Sequence, residues 1–363
     1  MELIQSLITI VVFLVVLGGL VLVHEIGHFV TARAAKVRVL EFGIGFPPRA
    51  KVLRRGGETL YTLNWLPIGG FVKLEGEDGD EESDPRSFSS QRLATKLVIL
   101  VAGVVMNLVV SFVIFTGIAL FAEEAIGVEI GGVVDGSPAA SVGLEAGDTI
   151  VSVNGRQYSA FDIGASPIAD LGANAGQTVV LGVVRTDGTQ EDITVTLRVP
   201  TEENPGALGV RDLTGVRAGQ IEYAFTDAVQ LGLTRTADAF VMILGGLGQL
   251  ASSIATDPTT APPAAGPVGI AAQLGDILWS LGPLYVIYVA ALLSANLALV
   301  NILPFPPLDG GRMLMLVLKA LPAGDRISLR AERLTYVLGF IALFTFLIWI
   351  TIFDVGRLLG ATP

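Results

Sequence analysis

Residues 3–23, 97–122, 277–308 and 334–353 each run without a single Asp, Glu, Lys or Arg. A helix needs about 20 mainly apolar residues to cross the hydrocarbon core of a bilayer. Inside lipid, only structures that satisfy their own backbone hydrogen bonds persist. The chain therefore reads as a polytopic α-helical membrane protein with four spans. The third stretch exceeds one crossing and contains Pro283, Pro304, Pro306 and Pro307, so its helix is expected at about 283–303. Only 16% of residues are charged, against about 25% in soluble chains. The first stretch does not read as a signal peptide, because Glu2 is its only early charge and it runs past the usual apolar length.

Basic residues set the orientation. Arg33, Lys36, Arg38, Arg49, Lys51, Arg54 and Arg55 follow the first span, and Arg312, Lys319, Arg326, Arg330 and Arg333 precede the fourth. The positive-inside rule makes both segments cytoplasmic, which leaves both termini and the region 123–276 outside. The acidic run at 75–84 does not disturb this, since the rule counts Lys and Arg. A net charge of −11 argues against a nucleic-acid partner. The absence of cysteine removes disulfides, thiolate ligands and cysteine nucleophiles.

Residues 37–74 are too polar for a helical span. They alternate in pieces, as in Thr59-Leu60-Tyr61-Thr62-Leu63, and Arg54-Arg55-Gly56-Gly57 fits a turn, so a hairpin is expected. Residues 123–199 read as a small β-rich domain closing on a strand near 192–199, followed by a linker at 200–220. Residues 222–256 read as a surface helix of mixed polarity. The prolines between 256 and 269 read as a loop.

The chemistry starts at His24-Glu25-Ile26-Gly27-His28. Residues four apart share one helix face, so both histidines reach one metal ion, while Glu25 stands to the side as a general base. The competing reading is a helix end with incidental histidines. It is weakened because these are the only two histidines in the chain, and because ionisable groups at the end of a span are functional by default. A catalytic zinc takes three protein ligands and keeps a position for water. With no further histidine and no cysteine, the third ligand is an oxygen donor. Asp309 is the candidate, at the same membrane depth as His28. Its competing role is the N-cap of the following helix.

The His24–His28 motif in the first span, followed later by Asn301-x-x-Pro304-x-Pro306-x-x-Asp309-Gly310-Gly311, resembles the site-2 protease family of intramembrane zinc proteases, in particular its bacterial branch with an inserted PDZ domain. Gly69-Gly70-Phe71-Val72-Lys73-Leu74 resembles the end of that family's membrane re-entrant β-hairpin. Ala102-Gly103-Val104-Val105-Met106-Asn107 resembles its second-span motif, with Val104 where proline is common. Ser137-Pro138-Ala139, Gly143 to Asp148 and Asn154-Gly155 resemble one PDZ core, and Gly266 to Ile270 resembles the segment before the third span.

The resemblance implies seven segments: a first transmembrane helix with the zinc motif at 1–36, a re-entrant hairpin segment at 37–92, a second span at 93–122, a PDZ-like α+β domain at 123–199, a linker and surface helix at 200–276, a third span with the last ligand at 277–322, and a fourth span at 323–363. It implies zinc held by His24, His28 and Asp309, with Glu25 as general base, in the inner membrane of a bacterium. It implies substrates that are single-pass membrane proteins already trimmed outside, such as anti-sigma factors or signal-peptide remnants. Gly69, Gly70 and Phe71 then bind the substrate strand. Asn296 and Asn301 match positions that handle substrate, and read equally as interhelical polar contacts. The PDZ-like domain either holds a substrate C-terminus near Ile126-Gly127-Val128 or acts as a size filter. Two rivals are a non-proteolytic membrane PDZ scaffold and a metal transporter. The intact Glu25 and the clustering of all three ligands at one depth speak against them.

Overall fold

A computed structural model describes residues 2–77, 84–162, 165–203, 206–322 and 327–360. The centre of the acidic run and Arg326 lie outside these residues. In chain order the elements are helix α1 (Glu2–Ala34), strands β1 (Val39–Gly56) and β2 (Thr59–Leu74), and helix α2 (Leu93–Phe121). There follow β3 (Glu124–Glu129), β4 (Gly132–Val133), α3 (Pro138–Ser141), β5 (Thr149–Val153), β6 (Arg156–Ser159), α4 (Pro167–Ala173), β7 (Thr178–Val184), β8 (Gln190–Thr196), β9 (Val210–Arg211) and β10 (Thr214–Gln220). The chain ends with α5 (Phe225–Thr256), α6 (Pro267–Ser280), α7 (Pro283–Ile302), α8 (Asp309–Ala320) and α9 (Leu329–Leu358). Two compact units result, one from residues 1–115 with 232–363, the other from residues 116–231.

Among the described residues, α1, α2, α5, α7 and α9 are long and apolar enough to cross a membrane. Four of them fall at the four spans read from sequence, α7 within its longer charge-free stretch, at Pro283–Ile302 against an expected 283–303. The fifth, α5, covers the segment expected to lie on the surface, and it is the least apolar of the five. Its downstream neighbours report on its path. The N–H groups of Gly266 and Gly269 donate to Asp354 near the end of α9, at 3.2 and 2.8 Å. Trp279 of α6 donates to Thr9 Oγ1 at 3.1 Å. The stretch from 266 to 280 is therefore level with the beginning of α1 and the end of α9. At a rise of about 1.5 Å per residue, Thr9 lies about 28 Å along α1 from His28, close to one hydrocarbon thickness.

The hairpin is more than two straight strands. The run 41–44 of β1 is flanked by residues 60–63 of β2 on one side and by residues 70–73 of β2 on the other. Four antiparallel runs result, and the two edges are residues 49–56 and residues 70–74. The turn falls at Gly57-Glu58, not at 54–57, because Arg54 and Arg55 pair with Tyr61 and Leu60 and Gly56 pairs with Thr59. Gly57, at φ +66°, supplies the left-handed residue that a two-residue loop needs.

The second unit holds a six-stranded antiparallel sheet in the order β10-β3-β6-β5-β7-β8, over a core that includes Ile130, Ile150, Tyr158, Leu181 and Leu197. The expected linker at 200–220 is corrected here. Residues 214–220 form β10, which pairs with β3 and extends the sheet. Their sequence, Thr-Gly-Val-Arg-Ala-Gly-Gln, has little strand propensity, and the pairing partner decides their conformation.

The cysteine-free chain makes the path of α5 testable. Cysteines placed singly at Gln5, Thr260 and Lys36 should report two sides with a membrane-impermeant maleimide. Thr260→Cys is expected to label from the side of Gln5→Cys and opposite Lys36→Cys. Labelling of Thr260→Cys from the Lys36 side would make α5 a fifth crossing.

Candidate metal centre

The site is built where α1, α2 and α8 converge. Helix α1 ends in a Schellman motif. Lys36 takes φ +63°, Lys36 N–H donates to Arg33 O at 3.0 Å, and Val37 N–H donates to Ala32 O at 2.9 Å. Ala32 and Val37 then join a buried cluster with Val39, Leu74, Ile99 and Leu100, which fixes the hairpin and α2 against this end of α1.

Within the motif, Gly27 allows close helix approach. A Cβ there would lie 2.5 Å from Ala102 O. Its counterpart is Gly103, where a Cβ would lie 2.5 Å from His28 Nε2 and 2.6 Å from His24 Cε1. Small residues at both positions let α2 pass directly beneath the two imidazoles.

His24 and His28 are buried. Their Nε2 atoms are 3.1 Å apart, and Asp309 Oδ2 stands 2.9 Å from the first and 3.2 Å from the second. Donors about 2.0–2.1 Å from a tetrahedral ion stand about 3.3 Å from one another. The three atoms thus converge as a metal's donor set does, and Asp309 is the only carboxylate grouped with the histidines among the described residues. The chemistry suits zinc, with two nitrogens, one oxygen and no sulfur. His28 Nδ1 donates to the Ile99 carbonyl at 2.8 Å. A carbonyl only accepts, so this nitrogen carries the proton and Nε2 keeps its lone pair for a metal.

Asp309 reaches the histidines because the chain doubles back after α7. A Cβ on Gly310 would lie 2.1 Å from Ile302 O, so glycine is required for α8 to start against the end of α7. The N-cap of α8 is Leu308, not Asp309, which occupies the first helical position with its carboxylate turned to the histidines.

Glu25 lies beside this group, and its Oε2 accepts the N–H of Val72 at 3.1 Å. Two residues on, Leu74 N–H donates to Glu77 at 3.0 Å, and Glu77 pairs with Arg312 of α8 at 2.6 Å. The edge of β2 at 70–74 therefore faces the site, and two of its outward N–H groups are held by carboxylates. A cavity of about 410 Å³ connects these groups; its lining includes His24, Glu25, His28, Gly70, Phe71 and Asp309.

Of the residues expected to bind substrate, Asn301 also lines this cavity. Gly69 lines an adjoining apolar groove against Gly18 and Gly19 of α1. Asn296 is half-buried on α7 and is not part of either lining. Ile126, Gly127 and Val128 do not form a loop. They sit in β3, between β10 on one side and β5 and β6 on the other, so the ladders engage their backbone and leave no free nest for a carboxylate. Sequence reading missed Ile99 as a partner of His28, Gly27 and Gly103 as spacers, and Glu77 with Arg312. Helix periodicity cannot locate a carbonyl on another helix, and the acidic run around Glu77 reads as solvated charge.

The profile of Peptidase family M50 matches residues 12–346. A relative from Clostridium acetobutylicum, classed by inference as a zinc metalloprotease, is 30% identical over 97% of this chain and 98% of its own. A similarly classed relative from Nostoc is 30% identical over 86% of this chain and 87% of its own. The zinc metalloprotease RasP of Geobacillus kaustophilus is 26% identical over 98% of this chain and 99% of its own.

The close packing at Gly103 gives a direct test. Gly103→Ala pushes a methyl group into both imidazoles and should weaken zinc binding at least ~10-fold, the scale on which disturbed ligand orientation acts. Gly117→Ala, in the same helix with nothing within 4 Å of the added carbon, should bind as the native chain does. Zinc titration of both purified variants checks this.

Proposed function

The chain belongs to peptidase family M50 and is a multi-pass zinc metalloprotease, and on that premise we propose that it cuts single-pass membrane proteins at a peptide bond drawn out of helical form onto the β2 edge. The observation that carries this reading is the hydrogen bond from Val72 N–H to Glu25. It puts an outer strand edge, not paired to another strand, and the proposed general base side by side.

A peptide bond inside a transmembrane helix is protected, because its carbonyl accepts from the N–H four residues on. Unwinding exposes groups that lipid cannot satisfy. An extended substrate segment can pair with residues 70–74 as an added strand, and its carbonyls replace the carboxylates that now occupy Val72 N–H and Leu74 N–H. That exchange releases Glu25 from the strand.

His24, His28 and Asp309 are the proposed zinc ligands. Zinc held there supplies Lewis acidity toward the scissile carbonyl and the attacking water. Glu25 takes the proton of that water and passes it to the leaving amine. Glu25 lines the same cavity as the two histidines and Asp309, within reach of a reacting group held there.

Four crossings, with both termini and the β-rich unit outside and the site near the cytoplasmic face of a bacterial inner membrane, follow from the basic residues after α1 and before α9. The β-rich unit reads as PDZ-like from its Gly-rich turns. It serves substrate selection, either by binding a peptide end or by refusing bulky outer domains. The latter fits substrates trimmed beforehand, as anti-sigma factors and signal-peptide remnants are.

Glu25→Gln keeps the shape of the side chain and removes the base. With a membrane-anchored, ectodomain-trimmed substrate in liposomes, cleavage should fall by about 100- to 10,000-fold, while bound zinc stays at the native level. A Glu25→Gln variant that cleaves at the native rate would remove Glu25 from the mechanism.

A further inference from the structure

Asn107 is a fully buried amide on α2, a helix that is apolar along almost its whole length. An amide in such surroundings is costly unless it bonds. Its Nδ2 lies 3.4 Å from His24 Nδ1, and its Oδ1 has no partner. Among the described residues, His24 is thus the sole partner of this side chain. The backbone is fixed independently, since Ser294 of α7 donates to the Asn107 carbonyl at 2.7 Å. The amide therefore stands at a set distance from the imidazole whatever its own orientation.

The two histidines are supported differently. His28 has a carbonyl at Nδ1, which can only accept. His24 has an amide, which can either donate or accept, and the two ends of an amide are interchanged by a half-turn about χ2. When His24 Nε2 donates to Asp309, Nδ1 is an acceptor and the Asn107 NH₂ serves it. When Nε2 is given to zinc, Nδ1 carries the proton and requires an oxygen.

We propose that Asn107 is a positioning residue for the metal centre, which presents Oδ1 to the His24 Nδ1–H in the zinc-loaded protein and turns its NH₂ to the same nitrogen when the metal leaves. This inference rests on His24 binding zinc through Nε2, and goes beyond it by assigning the group that selects that nitrogen. Other side chains of this size do less. Leu offers no polar atom, and Asp can accept but cannot serve the metal-free form.

The test uses the full chain in detergent, labelled with ¹⁵N only in histidine. With two histidines in the sequence, the ring spectrum contains two residues. In the zinc-loaded native protein, both Nδ1 atoms should be protonated and both Nε2 atoms metal-bound. Asn107→Leu should shift the His24 ring signals, leave those of His28 in place, and weaken zinc binding by ~10- to 100-fold, as loss of such a support does elsewhere. Asn107→Asp should hold zinc within a few-fold of native. A Leu variant with native affinity and unmoved His24 signals would overturn the proposal. So would an Asp variant as weak as Leu, which would make the contact one of packing. The native spectrum needs no variant to fold, and an unprotonated His24 Nδ1 in the loaded protein would contradict the proposal by itself. His24→Ala separates the two levels. If it keeps full zinc affinity, the ligand assignment fails; if it loses zinc while Asn107→Leu does not, only the role of Asn107 fails.

Discussion

A polar group placed in hydrocarbon is costly without a partner in the protein, and this constraint organises most of the centre. Lipid offers a backbone N–H nothing to bond with. Two outward N–H groups of the β2 edge, those of Val72 and Leu74, are accordingly taken by Glu25 and Glu77, and Glu77 is in turn paired with Arg312. The His28 ring is tied to the Ile99 carbonyl. Far from the site, buried Asp354 holds the first N–H groups around the start of α6, a charge accommodated because it completes a helix end. In the proposed function, the bonds held at the β2 edge are ones that a substrate strand can exchange one for one.

The proposed exchange gives a β-hairpin beside a metal centre its use in a helical protein. A helix presents no free backbone edge, so it cannot hold an unwound segment. A sheet edge can. The glycines at 27 and 103 bring α2 close enough to place the Ile99 carbonyl and the Asn107 amide directly under the two histidines. A scaffold would have no use for a carboxylate held against that edge. A transporter would need ligands strung along a path, whereas His24, His28 and Asp309 meet within 4.8 Å.

Much of this was legible in the sequence, for physical reasons. Long charge-free runs have one common explanation, and they recover α1, α2, α7 and α9. The four-residue spacing of the only two histidines defines a helix face, and counting donors leads to Asp309. What escaped reading depends on contacts between distant segments. The strand at 214–220 is made by its pairing with β3, and Ile126 to Val128 are engaged there instead of forming a loop. The helix expected at 222–256 is found as Phe225–Thr256, but its mixed polarity kept it out of the apolar set. Asn107 stood out only by resemblance, because its meaning lies in a nitrogen 83 positions away in sequence.

In the proposed function the substrate is held as a strand on the β2 edge next to the metal centre. Disulfide trapping in the Glu25→Gln chain tests it most directly, since the native chain contributes no cysteine of its own. Single cysteines at Phe71 or Lys73 would be paired with cysteines stepped along the substrate around its cleavage site. Bonds should recur at every second substrate residue, and none should form with cysteines at Val52 or Leu53 on the opposite edge. Bonds that recur with helical spacing, or that form only at the opposite edge, would contradict it.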